Sequence, residues 1–454
     1  MADTRSKSLR NQDMTTGSIM KKMMLFAIPV LISTLFSQLY NMVDSIIVGR
    51  FVSAHALAAV GSSGSVMMIF YALMSGMNIG ANVIVSQYFG AKKYDELNKT
   101  VITLIMVATC VTVVMVTLGV TLSPVFLRML HTPDELMKDA TVYLRISCAG
   151  ILGQFFFYVG SFVLRGMGDS KWPSYMVILS SVINIILDLV FVVAFHLDVA
   201  GVALATAIAQ TISAVVVFYR MAHHECLDFS RKNWKIDKTK IRPILSLGMP
   251  SAIQQLCLSL GTLIIQRFAN TFGADFIASM TVVTKVDMFA MMPINSLGQA
   301  LSTFVGQNVG AGKDDRVKKG VRDMTLTIVG LSVGMGVVMA FFGKYLMLLF
   351  TDSQPVIAMG IVCIQIMVFS YWGTALQQAY SGLLRGAGDA LIPAVIMISA
   401  LALRIPFTYL LAVRPNDYRG IFYCMAGAAI LGGVAMLVYY RSGIWKKRNS
   451  VRIR

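Results

Sequence analysis

Leu164–Phe195 reads LRGMGDSKWPSYMVILSSVINIILDLVFVVAF: a compact turn, then an apolar run. The run Ser174–Phe195 reaches about 33 Å as a helix at 1.5 Å per residue, enough to cross a hydrocarbon core of about 30 Å. It nevertheless carries Asn184 and Asp188, four residues apart and therefore on one helix face. A carboxylate at membrane depth costs about 3 kcal/mol even on insertion scales, so a chain that keeps one has a use for it.

The surrounding composition agrees. Of 454 residues, 56% are hydrophobic and 13% charged, and the mean hydropathy is +0.71. Soluble domains carry about 25% charged residues. Apolar runs recur at spanning length, without the short alternation of a membrane β-barrel. The fold class expected is an all-α polytopic membrane protein with twelve transmembrane helices, near 20–48, 57–88, 100–122, 139–163, 172–196, 200–220, 243–270, 277–306, 321–343, 356–384, 391–413 and 420–441. An even number puts both termini on one side. The seven connections on that side hold 29 Lys and Arg, against 6 on the other. The positive-inside rule makes the first side cytoplasmic, and a plasma (inner) membrane location follows. The net charge of +17 is thus a topology and lipid-surface feature, and no nucleic-acid partner is expected. No signal peptide is expected in the polar first 22 residues. The six cysteines lie scattered without a CxxC pair, which argues against a disulfide framework or a zinc site. His223-His224-Glu225-Cys226 lacks a partner cluster for a metal.

The opening turn returns. LRGMGDSKWP at Leu164–Pro173 is matched by LRGAGDALIP at Leu384–Pro393, and VSQYFGAKK at Val85–Lys93 by VGQNVGAGK at Val305–Lys313, both at an offset of 220. Pro29 is echoed by Pro250. A repeat of six spans keeps its orientation, so two pseudo-symmetric six-helix lobes are expected, related by a two-fold along the membrane normal. The divisions are a cytoplasmic tail 1–19, an N-terminal lobe 20–220, a linker 221–242, a C-terminal lobe 243–441 and a basic tail 442–454. In the turns, the glycines permit positive φ and the aspartate caps the next helix. The GAKKYDELNK and GAGKDDRVKK loops read as solvated connectors.

Asp44 lies at a depth similar to Asp188, and Gln38, Asn41 and Asp44 form a polar stripe on span 1. Two carboxylates facing one desolvated space do not both ionise cheaply, so the pair is expected to exchange a proton or, with Asn184, to ligate Na⁺. The repeat sends Asn184 to Arg404 and Asp188 to Thr408, which confines this chemistry to the N-terminal lobe. In the other lobe Asp287 and Arg404 are expected to pair, because an isolated charge at that depth is costly. Tyr371, Gln378, Asn295 and Gln299 are candidate cavity residues beside Gln38, Asn41, Asp287 and Arg404. Neither a hydrolytic constellation nor a nucleotide-binding domain stands out, so the chain reads as neither an enzyme nor an ATP-driven pump.

Two six-helix lobes, an acidic first span and the duplicated LRGxGD and FGAKK/VGAGK loops resemble the multidrug and toxic compound extrusion (MATE) family over 20–445, and its DinF-like branch in particular. The family's N-lobe acids and their partners match Asp44, Asn184, Asp188 and Thr206. The sodium-associated branch has an acid in the seventh helix where this chain has Gln254 and Gln255. The resemblance implies a V-shaped pair of bundles that exports drugs or other organic compounds, with H⁺ or Na⁺ as coupling ion and no organic cofactor. The N-lobe acids favour a cationic or amphipathic small-molecule substrate, and the unit is expected to work as a monomer within the bilayer. A lipid-linked-precursor flippase of the same superfamily is the alternative, kept open by Lys285 and Arg404.

Overall fold

The computed structural model describes residues 12–52, 54–130 and 132–446; the remainder of the basic tail and residues 1–11 fall outside the described residues. The N-terminal lobe is built from α1 (Ile19–Ile47, continued by a π-turn at Val48–Val52), α2 (Ala54–Gly90), α3 (Tyr94–Met129), α4 (Asp134–Gly166), α5 (Lys171–Leu189, with a π-turn at Val190–Ala194) and α6 (Asp198–Ala222). The second lobe repeats the order with α7 (Lys238–Ala269), α8 (Ala274–Gly310), α9 (Asp314–Leu348), α10 (Gln354–Val368), α11 (Tyr371–Gly386), α12 (Leu391–Thr408, with a π-turn at Tyr409–Val413) and α13 (Arg419–Ser442). Eleven of the described helices, or runs of helix, are long and apolar enough to cross a membrane. The tenth expected span is broken: α10 and α11 meet at 50° around Phe369-Ser370. Ser370 turns its hydroxyl onto the Met367 carbonyl, 2.7 Å away, so local bonding replaces the helical ladder at the break.

The repeat is visible in the backbone. Gly168 (φ +90°) and Gly388 (φ +94°) occupy equivalent turns. Asp169 Oδ1 accepts from the Trp172 amide at 3.2 Å, and Asp389 Oδ1 from the Ile392 amide at 3.3 Å, so each aspartate satisfies an otherwise orphaned donor at the start of the next helix. The pseudo-two-fold also relates contacts between lobes. Gln87 Nε2 donates to the Gly386 carbonyl (2.9 Å) and Gln307 Nε2 to the Gly166 carbonyl (3.1 Å). A Cβ on Gly90 would meet the Gln307 carbonyl oxygen at 1.9 Å, and one on Gly310 the Gln87 carbonyl oxygen at 2.0 Å. Glycine lets α2 and α8 cross backbone to backbone there.

These crossings lie at the basic end of the molecule, where the last turns of α2 and α8 make the seal, while Lys92, Lys93, Gly312 and Lys313 in the turns that follow are exposed. The segment before α1 seals it further. Met14 is 2% exposed; its amide donates to Gln307 Oε1 at 2.8 Å, and its carbonyl accepts from Asn308 Nδ2 and Arg316 Nη2. Lys313 Nζ donates to the Thr15 carbonyl at 2.8 Å. On the other side Gln12 Nε2 donates to Asp169 Oδ2 (3.3 Å) while His224 Nε2 approaches Gln12 Oε1 (3.2 Å). Gln12–Thr16 is therefore a strap across both lobes.

His224 gives the strap a pH dependence. Its Nδ1 accepts from the Cys226 amide, so a second proton has no place, and burial with the nearby Arg220 holds the imidazole down at about 4. A histidine depressed on docking binds fewer protons docked than free. Docking is therefore strongest above pH 6.5 and weakens as pH falls from 6.5 toward 4. Undocking that freed the imidazole completely would set the upper limit of the loss at pH 5.5, about 1.4 kcal/mol or tenfold. Asp169, whose carboxyl burial holds above its ordinary range, acts in the opposite sense and limits the loss at the acid end. Amide exchange over residues 12–18, corrected for intrinsic rate, should be up to about tenfold faster at pH 5.5 than at pH 7.5, and a His224→Gln variant should lose that difference. Equal protection at both pH values in wild type would refute it.

Candidate ion-coupling site and central cavity

Asp44 on α1, Asn184 and Asp188 on α5 and Thr206 on α6 converge. Asp188 is fully buried and Asn184 2% exposed. With its amide turned to satisfy both ends, Asn184 donates to Asp44 Oδ1 at 3.0 Å and accepts from Thr206 Oγ1 at 3.2 Å. Both Asp188 oxygens are buried and accept no hydrogen bond from a donor among the described residues. Their neighbour is the Asp44 carboxyl, within hydrogen-bonding contact. Two ionised carboxylates in such contact repel strongly in a medium of low dielectric, so one shared proton or one bound cation is required to hold the pair. Among the described residues no cluster of three His, Cys, Asp or Glu is placed to hold a metal; Asp44, Asp188, Asn184 and Thr206 offer hard oxygens, the donor type that suits Na⁺ or a proton.

Beside the pair is a cavity of about 220 Å³ within the N-terminal lobe, lined by Asn41, Tyr71, Tyr143, Gln154, Thr206 and Gln210 among others. Thr206 belongs to both the cluster and the cavity wall, so the acids are one side chain from it. Tyr71, Tyr143, Gln154 and Gln210 lay outside the expected set. Each sits on a span with several other uncharged polar residues, so nothing in the sequence singles it out without the fold.

Between the lobes lies a second cavity of about 490 Å³, walled by α1, α2 and α4 on one side and α7, α8 and α11 on the other. Asn295, Gln299 and Gln378 line it, as their sequence positions suggested. Gln38, Asp287, Tyr371 and Arg404 line neither cavity. Gln38 is half-buried on α1. The expected Asp287–Arg404 pair is not formed: Asp287 Oδ1 accepts from the Tyr371 hydroxyl at 2.9 Å, inside the second lobe, and Arg404 Nε is buried without a partner. Equal depth did not mean facing directions, since α8 turns Asp287 toward the α10–α11 break. Thr408, the counterpart of Asp188, is fully buried.

The family model MatE matches residues 29–190 and 250–410, one match in each lobe. The probable multidrug resistance proteins YpnP and YoeA of Bacillus subtilis (strain 168) are 27% and 28% identical to the chain, over 96% and 99% of it and 98% and 99% of their own lengths. A solved structure described as an outward-facing conformation of a multidrug resistance MATE family transporter superposes with a TM-score of 0.89 at 21% identity, covering 96% of this chain and 98% of that one. A MATE crystal structure in complex with MaL6 gives a TM-score of 0.90 at 21% identity, covering 96% and 99%. The chain belongs to the MatE family of multidrug-efflux membrane transporters and is not an enzyme.

Proposed function

We propose that the protein is a secondary antiporter that exports organic compounds in exchange for H⁺ or Na⁺ taken up at Asp44 and Asp188. The observation that carries this reading is the pair of carboxyl groups in contact, with both Asp188 oxygens buried and lacking any donor among the described residues. Such a pair is stable only while occupied, so loading and release change the packing of α1 against α5. Helix α1 can transmit the change. Its basic-end half, Met23–Val30, packs on Ile294, Leu301 and Phe304 of α8, and Pro29 removes one of its ladder bonds, leaving a place to bend. The basic end is taken as cytoplasmic, with both termini there and the plasma membrane as the location. The seal at that end then makes the present arrangement outward-facing, and rocking of the lobes opens the cavity inward. A potential of 100 mV supplies about 2.3 kcal/mol per charge moved, enough for about 50-fold accumulation. The relatives are named as multidrug resistance proteins, which supports export over the flippase alternative.

The test uses proteoliposomes with ΔpH and ΔNa⁺ imposed separately, following ethidium and sulforhodamine. Uphill movement of either dye under one gradient, with counterflow of that ion, is expected. Dye movement indifferent to both gradients would sink the antiport reading.

A further inference from the structure

The substrate's charge was inferred from acids in the N-terminal lobe, but the cavity between the lobes contains none of them. Among the described residues its lining includes no Asp, Glu, Lys or His, and its formal charges are Arg165 and Arg385. These two are repeat mates at an offset of 220, on the last turns of α4 and α11, so the pseudo-two-fold brings one guanidinium from each lobe to the same space.

Neither has an acidic partner among the described residues. Arg385 Nη2 donates to the neutral Gln254 Oε1 at 2.9 Å, and the Arg165 guanidinium lies over the Phe162 ring at 5.6 Å. The Nε of each is buried with no acceptor, and so is the Ser381 hydroxyl on the same wall. Buried donors in proteins are almost always satisfied, and an unpaired guanidinium is an expensive thing to keep. A negatively charged group with several acceptor oxygens meets the unpaired charge of both arginines, because a guanidinium presents its donors as a planar fork that fits carboxylate, sulfonate or phosphate oxygens. Phe26, Ile79 and Phe162 supply apolar wall beside them.

We propose that the central cavity binds amphipathic compounds through an anionic group held between Arg165 and Arg385, one arginine per lobe. This deepens the export reading by assigning the substrate a charge opposite to the one the N-lobe acids suggested. It also separates the tasks: the cation site lies within one lobe, while the anion site bridges both. An anionic group gripped from both sides favours closure of the lobes around it, so substrate binding and lobe movement are linked through these two side chains.

The experiment is equilibrium binding to the full-length purified protein of two probes with matched rings, 1-naphthalenesulfonate and 1-naphthyltrimethylammonium, followed by calorimetry at fixed ionic strength. Wild type should bind the sulfonate at least tenfold more tightly than the ammonium. Arg165→Gln and Arg385→Gln should each weaken sulfonate binding about tenfold while leaving ammonium binding unchanged or stronger. The lysine variants should fall between, keeping the charge but losing the fork. Thermal unfolding midpoints identify variants that fail to fold, and the lysine variants then carry the comparison. If the arginines merely close helix ends, stability shifts but the preference between probes does not, and the proposal fails. A preference for the ammonium probe in wild type also overturns it. Because binding is read without any gradient, the two readings fail separately: dye movement indifferent to both gradients with the sulfonate preference intact removes antiport alone, whereas gradient-driven movement with no sulfonate preference removes the anion site alone.

Discussion

An Asp188→Asn protein is expected to insert and fold normally yet lose at least nine-tenths of gradient-driven export. The substitution is nearly isosteric, and the new amide is a donor that satisfies the Asp44 carboxyl it touches. It thus imitates the occupied state permanently. Nothing about the buried packing is lost, since Asp188 is fully enclosed and forfeits no donor among the described residues. What disappears is the alternation: an amide neither releases a proton nor balances a cation. Downhill dye exchange should persist while the response to imposed ΔpH and ΔNa⁺ vanishes. Asp44→Asn should behave similarly but less completely, because Asp44 is only half-buried and keeps Asn184 as a partner. Export at wild-type rate in Asp188→Asn under either gradient would remove the pair from the coupling mechanism.

The second large effect is steric. In Gly90→Val, the added Cβ would fall 1.9 Å from the Gln307 carbonyl oxygen, a backbone atom with no rotamer by which to retreat. The lobes would have to part at the crossing of α2 and α8, and with them the reciprocal contact of Gly310 on Gln87. The sealed basic end should become the minor state, a population shift of at least tenfold, or about 1.4 kcal/mol. Spin labels at Lys93 and Lys313 would report it as a longer interlobe distance, with the lobes themselves intact by circular dichroism. Unchanged distances would mean that the crossing is soft enough to absorb a side chain. Gly90→Ala should give a smaller shift of the same sign.

What the sequence disclosed, and what it hid, follows from range. The lobes were legible because spanning runs and a 220-residue repeat are properties of the chain alone. Asp44, Asn184 and Asp188 could be named because a polar group at membrane depth is conspicuous, and those on α5 are spaced by a helical turn; Thr206, a hydroxyl of a kind common on spans, came only from the family resemblance. Arg165 and Arg385 were hidden by the same logic: at helix ends beside turns they count as surface charges, and only the closure of two lobes turns them inward. Asp287 and Arg404 misled because depth along a span says nothing about azimuth. The strap at Gln12–Thr16 has no periodicity, and its partners are remote.

That remoteness has a consequence for how the molecule is made. Met14 pairs with residues 293 to 302 positions further along the chain. It leaves the ribosome long before any of them exists, and waits through the insertion of both lobes. Contacts of such separation form last, since the intervening loop must close first. Docking of the strap therefore marks the end of assembly: protease resistance at Gln12–Thr16 would report that a newly made chain has both lobes in register, before any transport can be measured.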